Sequence, residues 1–192
     1  MKRRIMSMFL AVVMVLGLAP LLPTRGSAAA PTSGTCGENL TWTLDSDGTL
    51  TISGTGRMED YYSSYNRIVP WSSERTSIKK ISIEEGMTYI GAVAFSGCSS
   101  LTSVNIPSSV SSIGNSAFSD CSSLTSINIP NSVTYIGNYA FSGCSSLTSI
   151  NIPNSVSSIR GGAFHACSSL TSVNIPSSIS SIGDSAFEGC SI

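Results

Sequence analysis

Five cysteines, Cys98, Cys121, Cys144, Cys167 and Cys190, follow one another at intervals of 23 residues. Phe95, Phe118, Phe141, Phe164 and Phe187 keep the same step, as do Ile90, Ile113, Ile136, Ile159 and Ile182. Leu101, Leu124, Leu147 and Leu170 follow, then Pro107, Pro130, Pro153 and Pro176. Full copies start at Met87, Val110, Val133 and Val156, and a fifth runs from Ile179 to Ile192. A degenerate half-copy precedes them, with Ile78, Ile81 and Ile83 lying 23 residues before Leu101, Val104 and Ile106. Self-similarity at such a period means stacked units, none of which can bury its apolar face alone.

Within a unit, Leu101-x-x-Val104-x-Ile106 carries the L-x-x-L-x-L signature of a leucine-rich repeat. The Val104–Ile106 alternation predicts a short strand with both apolar side chains inward. Pro107 ends it, having no amide to donate. Val110 and Ile113 turn inward again, Gly114 permits a tight corner, and Ala117, Phe118 and Cys121 are expected to pack inward from a short helical or 3-10 turn. The motif I-G-x-x-A-F-x-x-C-S-S-L-T-S-V-N-I-P, as at 113–130 and 136–153, resembles the BspA-like leucine-rich repeat family of bacterial surface proteins. The resemblance covers about 78–192. It implies a curved solenoid, export, and binding roles such as adhesion to host matrix or other cells. Two departures are local. Arg160 replaces the corner glycine, with Gly161-Gly162 expected to compensate, and Asp120 and Ala166 replace the glycine before cysteine.

The expected architecture is a right-handed, β-dominated leucine-rich-repeat solenoid over 78–192, with four full repeats and partial ones. A small β-hairpin cap and aromatic loop at 30–77 precede it. Residues 1–29 read as a secretory signal: Lys2-Arg3-Arg4, an apolar run from Ile5 to Leu22, then Ser27-Ala28-Ala29-Ala30, with cleavage after Ala29. An uncleaved anchor helix is the alternative. No second apolar span follows, so the mature chain is expected to be secreted or held at the cell surface.

The formal charge is −1, and removing Lys2, Arg3, Arg4 and Arg25 with the leader takes it to −5. That excludes a basic-patch nucleic-acid binder. From Met87 onward the only charges are Asp120, Arg160, Asp184 and Glu188, and His165 is the only histidine. Acid–base and metal chemistry lose their usual side chains, so no catalytic, metal or cofactor site is expected. Look-alikes dissolve for the same reason. Gly183-Asp184-Ser185 occupies the same corner as Gly114-Asn115-Ser116, Ser77-x-x-Lys80 lacks partner motifs, and Asp45-Ser46-Asp47-Gly48 lacks the spacing of a calcium loop.

Leu40-Thr41-Trp42-Thr43-Leu44 and Leu50-Thr51-Ile52 alternate around Asp45-Ser46-Asp47-Gly48, which predicts a hairpin. The loop from Arg57 to Trp71, with Tyr61, Tyr62, Tyr65 and Trp71, is expected to complete a lid over the first coil; a sugar-binding platform is the alternative. Six cysteines invite a disulfide framework, but five stack in one column. Coils about 4.8 Å apart exceed the roughly 3.8 Å between bridged Cβ atoms, so a buried thiol ladder is expected. Cys36 stands alone, its state open.

The outward strand positions are Ser103, Asn105, Ser126, Asn128, Ser149, Asn151, Ser172 and Asn174. By the resemblance this concave face is the candidate surface for an extracellular protein or glycan ligand. It repeats without the aromatic and arginine anchors of a single-epitope interface, so avidity for a repetitive ligand or a structural ladder are both open. Arg160 and His165, in one coil, form a possible secondary spot. A purely structural spacer, or a fragment of a larger surface protein, is the second reading; an enzyme and a Thr-column ice binder are remoter ones. The last coil lacks its strand, which leaves an edge expected to recruit another strand, by end-to-end self-association or otherwise.

Overall fold

The computed structural model describes residues 32–62 and 68–192. The leader and Tyr65 lie outside them. Three antiparallel strands come first: β1 (Thr32–Gly37), β2 (Asn39–Leu44) and β3 (Thr49–Arg57). Sequence reasoning found the β2–β3 hairpin and missed β1, whose T-S-G-T-C-G carries no apolar alternation. The hairpin turn closes on Asp45, whose Oδ1 accepts the amides of Asp47 (3.0 Å) and Thr49 (2.8 Å) while Gly48 takes φ 84°.

β3 is long enough to serve two faces. Its first half pairs in parallel with β4 (Lys80–Ile83), and its end pairs in parallel with β5 (Met87–Ile90). Between the two halves Gly54 takes φ 112°, where a Cβ would run into the Asn39 carbonyl. From β4 one ladder continues to β6 (Ser103–Asn105), and from β5 a second continues to β7 (Ser112–Ile113) and β8 (Tyr135–Ile136). Both ladders resume further on. β9 (Ser149–Asn151) pairs with β11 (Ser172–Asn174), and β10 (Ser158–Ile159) pairs with β12 (Ser181–Ile182).

The remaining side of each coil is made of turns, and here the structure corrects the expectation of helical or 3-10 segments. No helix occurs among the described residues. In the second coil the amides of Ala117, Ser119 and Cys121 close i→i+3 turns onto Gly114, Ser116 and Phe118. The amides between them, Ser116, Phe118 and Asp120, donate instead to Asn138, Ala140 and Ser142 of the next coil, at 2.7–2.9 Å. A helix would need every amide for itself. The alternation is enforced by left-handed residues: Val93, Ser116, Tyr139, Gly162 and Ser185 form one positive-φ column, and Gly97, Asp120, Gly143, Ala166 and Gly189 another.

The core is one continuous column. Leu101, Val110, Ile113, Ala117, Phe118 and Cys121 are fully buried, and so are their counterparts in the next coil, save Ile136 at 3% exposure. Phe95, Phe118, Phe141, Phe164 and Phe187 stack with ring centroids 5.3–5.6 Å apart. Trp71 heads the stack, 5.5 Å from Phe95. Its indole Nε1 donates to the Ala94 carbonyl at 3.0 Å, and the Tyr61 amide donates to Ala92. Inside the array those carbonyl positions receive amides from the coil before. Trp71 and Tyr61 supply the donors that the first coil would otherwise lack. Both are buried, which fits a cover over that coil and leaves neither ring free as a platform.

Two stability predictions follow from this geometry. Ala166 sits at φ 57°, where a Cβ costs roughly 1–2 kcal/mol. Ala166→Gly is expected to raise stability by about 1 kcal/mol after the entropy of glycine is set against it, seen as a higher thermal midpoint. Trp71→Phe keeps an aromatic ring at the head of the stack but strands the Ala94 carbonyl. It is expected to cost about 1–3 kcal/mol, measured by denaturant unfolding; an unchanged midpoint would remove the indole bond from the account.

Candidate functional site

One set of repeat serines and threonines is committed to the backbone of the neighbouring coil. Ser109, Ser132, Ser155 and Ser178 donate to the carbonyls of Met87, Val110, Val133 and Val156, one coil back, at 2.5–2.8 Å. Thr102 and Thr148 hydroxyls do the same on the strand side. The strand-face residues differ. Ser103, Asn105, Ser126, Asn128, Ser149, Asn151, Ser172 and Asn174 are all exposed. Their one side-chain bond is from Asn174 Nδ2 to Asn151 Oδ1, at 3.4 Å. Ser149 and Asn151 stand in register with Ser172 and Asn174, and Ser103 and Asn105 with Lys80 and Ser82. The ladder beneath them is interrupted, since Ser126–Asn128 forms no strand although its sequence equals that of β9.

The cysteine column is a ladder of thiols. All six cysteines are free. The Sγ atoms of Cys121, Cys144, Cys167 and Cys190 donate to the carbonyls of Phe95, Phe118, Phe141 and Phe164, at 3.1–3.2 Å. The thiol thus ties each coil to the one before it as well as filling space. Cys36, left open by sequence, is buried in β1 beside Tyr61, whose hydroxyl donates to the Cys36 carbonyl. Burial pushes the Cys36, Cys98 and Cys167 thiols up to about 12. Among the described residues no three His, Cys, Asp or Glu side chains form a metal-holding group.

Arg160 and His165 are not joined. His165 lies on the turn side, its Nδ1 3.5 Å from the Ser142 hydroxyl. Arg160 stands at the corner, exposed, with its guanidinium carbon 5.2 Å from the centre of the Tyr135 ring. The reason for glycine at the other corners is steric. A Cβ on Gly114, Gly137 or Gly183 would come within 2.5–2.6 Å of a backbone amide of the preceding coil. Arg160 has that Cβ, and the two coils part there. Ser111, Thr134 and Ser180 donate to the coil before, as do Gly114, Gly137 and Gly183; Ser157 and Arg160 do not, and β8 and β10 do not pair with each other. The result is a cleft of about 410 Å3 lined by Asn138, Tyr139, Ser158, Arg160, Ser181 and Asp184, among others. Gly162 accommodates the Tyr139 ring, which a Cβ would strike. The sequence signal for this cleft is the lone arginine in the glycine column; its consequence for the coil spacing is set by the tertiary structure.

The profile of the BspA type leucine-rich repeat region matches residues 72–192 in six copies. The chain belongs to the BspA-type leucine-rich repeat family. A leucine-rich repeat protein from Eubacterium ventriosum is 32% identical over 80% of this chain and 40% of its own, with a TM-score of 0.70. A leucine rich cell surface protein from Faecalibacterium prausnitzii is 30% identical over 85% of this chain and 48% of its own, with a TM-score of 0.61. A leucine-rich repeat protein of T. pallidum shares the fold at 22% identity and a TM-score of 0.53. The chain spans less than half the length of the first two. A search of the curated proteins returns no match.

The thiols set a pH dependence. Their folded pKa lies above the ordinary 9.0, so the native state holds protons that the unfolded chain releases first. The stabilising effect is complete below about pH 9 and is lost as pH rises toward about 12. The thermal midpoint is expected to fall steadily across that interval, and a midpoint flat over it would contradict the buried thiol ladder.

Proposed function

We propose that this chain is an exported or cell-surface interaction module without catalysis, engaging an extracellular protein or glycan through its repeat array. The observation that carries the reading is the strand face. Eight serine and asparagine side chains stand exposed along the strand side, and among the described residues the Asn174–Asn151 pair makes their one side-chain hydrogen bond, while serines such as Ser109 and Ser132 tie one coil to the next. A repeating row of donors and acceptors suits a repeating ligand met by many weak contacts, with strength from multivalency. The family and the cell-surface description of the Faecalibacterium prausnitzii relative support display outside the cell. Among the described residues no helix is long and apolar enough to cross a membrane.

The test is binding of the purified chain, Ala30–Ile192, to immobilised matrix proteins, mucin and glycans. Asn→Asp at 105, 128, 151 and 174 places four like charges along the face with little effect on the core. Saturable binding that drops at least about tenfold in this variant is the expected result. Binding that survives it unchanged moves the site elsewhere, and no binding by either protein favours a structural spacer.

A further inference from the structure

We propose that the cleft around Arg160 is a binding site for a carboxylate-bearing saccharide, distinct from the strand face. Between Met87 and Ile192 the chain carries only four charged residues, and two of them, Arg160 and Asp184, line this one cleft. They form no ion pair with each other. The Arg160 guanidinium makes no hydrogen bond within the described residues and lies 5.2 Å from the centre of the Tyr135 ring, which leaves its N–H fork unpaired. A planar fork of this kind matches a carboxylate in two parallel hydrogen bonds.

The rest of the lining suits a sugar ring. Tyr139 is 50% exposed, an uncommon state for an aromatic in this array, and lies against Gly162. Its ring offers an apolar face for the CH side of a pyranose. The Asn138 carboxamide is also free. Its counterpart Asn115 gives Oδ1 to the amide of Asn138 at 2.9 Å, but the parting of the coils leaves Asn138 without the equivalent bond to Gly161. Asn138, Ser158, Ser181 and the Asp184 carboxylate supply donors and acceptors for hydroxyls. An apolar peptide side chain finds little here, with Ile182 and Ile159 the only aliphatic residues of the lining.

The cleft comes with its own control, because the variants that empty it restore the repeat. Arg160→Gly returns the corner residue of Gly114, Gly137 and Gly183, and Tyr139→Ser returns the residue of Ser116 and Ser185. Both are expected to fold, with a thermal midpoint for Arg160→Gly at or above that of the parent. Calorimetric titration would use sialic-acid-terminated and glucuronate-terminated oligosaccharides, with a neutral oligosaccharide, an acidic peptide and inorganic sulfate as comparators. The expected result is saturable binding of at least one carboxylated sugar and not of the neutral one. Binding should weaken at least about tenfold in Arg160→Gly, weaken in Tyr139→Ser, and persist in the fourfold Asn→Asp variant. That last arm separates this site from the strand face. The proposal is overturned if no carboxylated sugar binds, if Arg160→Gly binds as well as the parent, or if sulfate or the acidic peptide binds as tightly as the sugar. A midpoint for Arg160→Gly well below the parent would overturn the steric account of the cleft.

Discussion

Everything in this chain rests on backbone groups that must find partners in the next coil. A 23-residue coil has no helix to satisfy its own amides and no strand longer than a few residues. On the turn side alternate amides close a turn and reach forward; Phe118 N–H to the Ala140 carbonyl, at 2.8 Å, is one rung of many. On the strand side, amides such as Gly114 N–H reach back to Ile90. Because every rung demands the same spacing, the side chains between the rungs must repeat as well. Stacked phenylalanines, thiols bonded to the carbonyls of the coil before, and serine hydroxyls bonded one coil back are the side-chain form of that demand.

A stack of this kind needs a beginning. β3 provides it by pairing with both β4 and β5, so one strand sets the register of two ladders. Trp71 and Tyr61 do the same for the turn side by donating to Ala94 and Ala92. The N-terminal segment is less a separate unit laid on the array than its first coil made from different residues. Its aromatic content reflects that: a tryptophan fills the ring position of a phenylalanine and carries a donor that phenylalanine lacks.

The same demand for uniform spacing makes a single deviation consequential. A corner glycine exists because the backbone of the neighbouring coil occupies the space of its Cβ. One arginine at that corner parts the coils locally while the Phe141–Phe164 contact, 5.6 Å between ring centres, and the turn-side bonds hold them elsewhere. A local opening in a rigid stack breaks a surface that is otherwise monotonous. The uniform strand face and the singular cleft are therefore two kinds of surface from one architecture. One suits repetition, and the other suits a single small ligand.

Periodicity in the residues determined the 23-residue sequence period, the inward columns of Leu, Ile, Phe and Cys, the β2–β3 hairpin and the outward Ser–Asn positions. Each follows from local chemistry or from a pattern with one satisfying arrangement. β6, β9 and β11 end at asparagine, two residues before the proline expected to end them. Tertiary structure alone decided the rest. The segments carrying Ala117, Phe118 and Cys121 were expected to be short helical or 3-10 turns, yet every second amide is taken by the next coil. β1 carries no pattern and forms because β2 offers it an edge. Ser126–Asn128 and Ser149–Asn151 share one sequence, and only the second is a strand. Arg160 was visible as an exception, but the cleft it makes depends on how far a neighbouring coil can move, which no residue type encodes by itself.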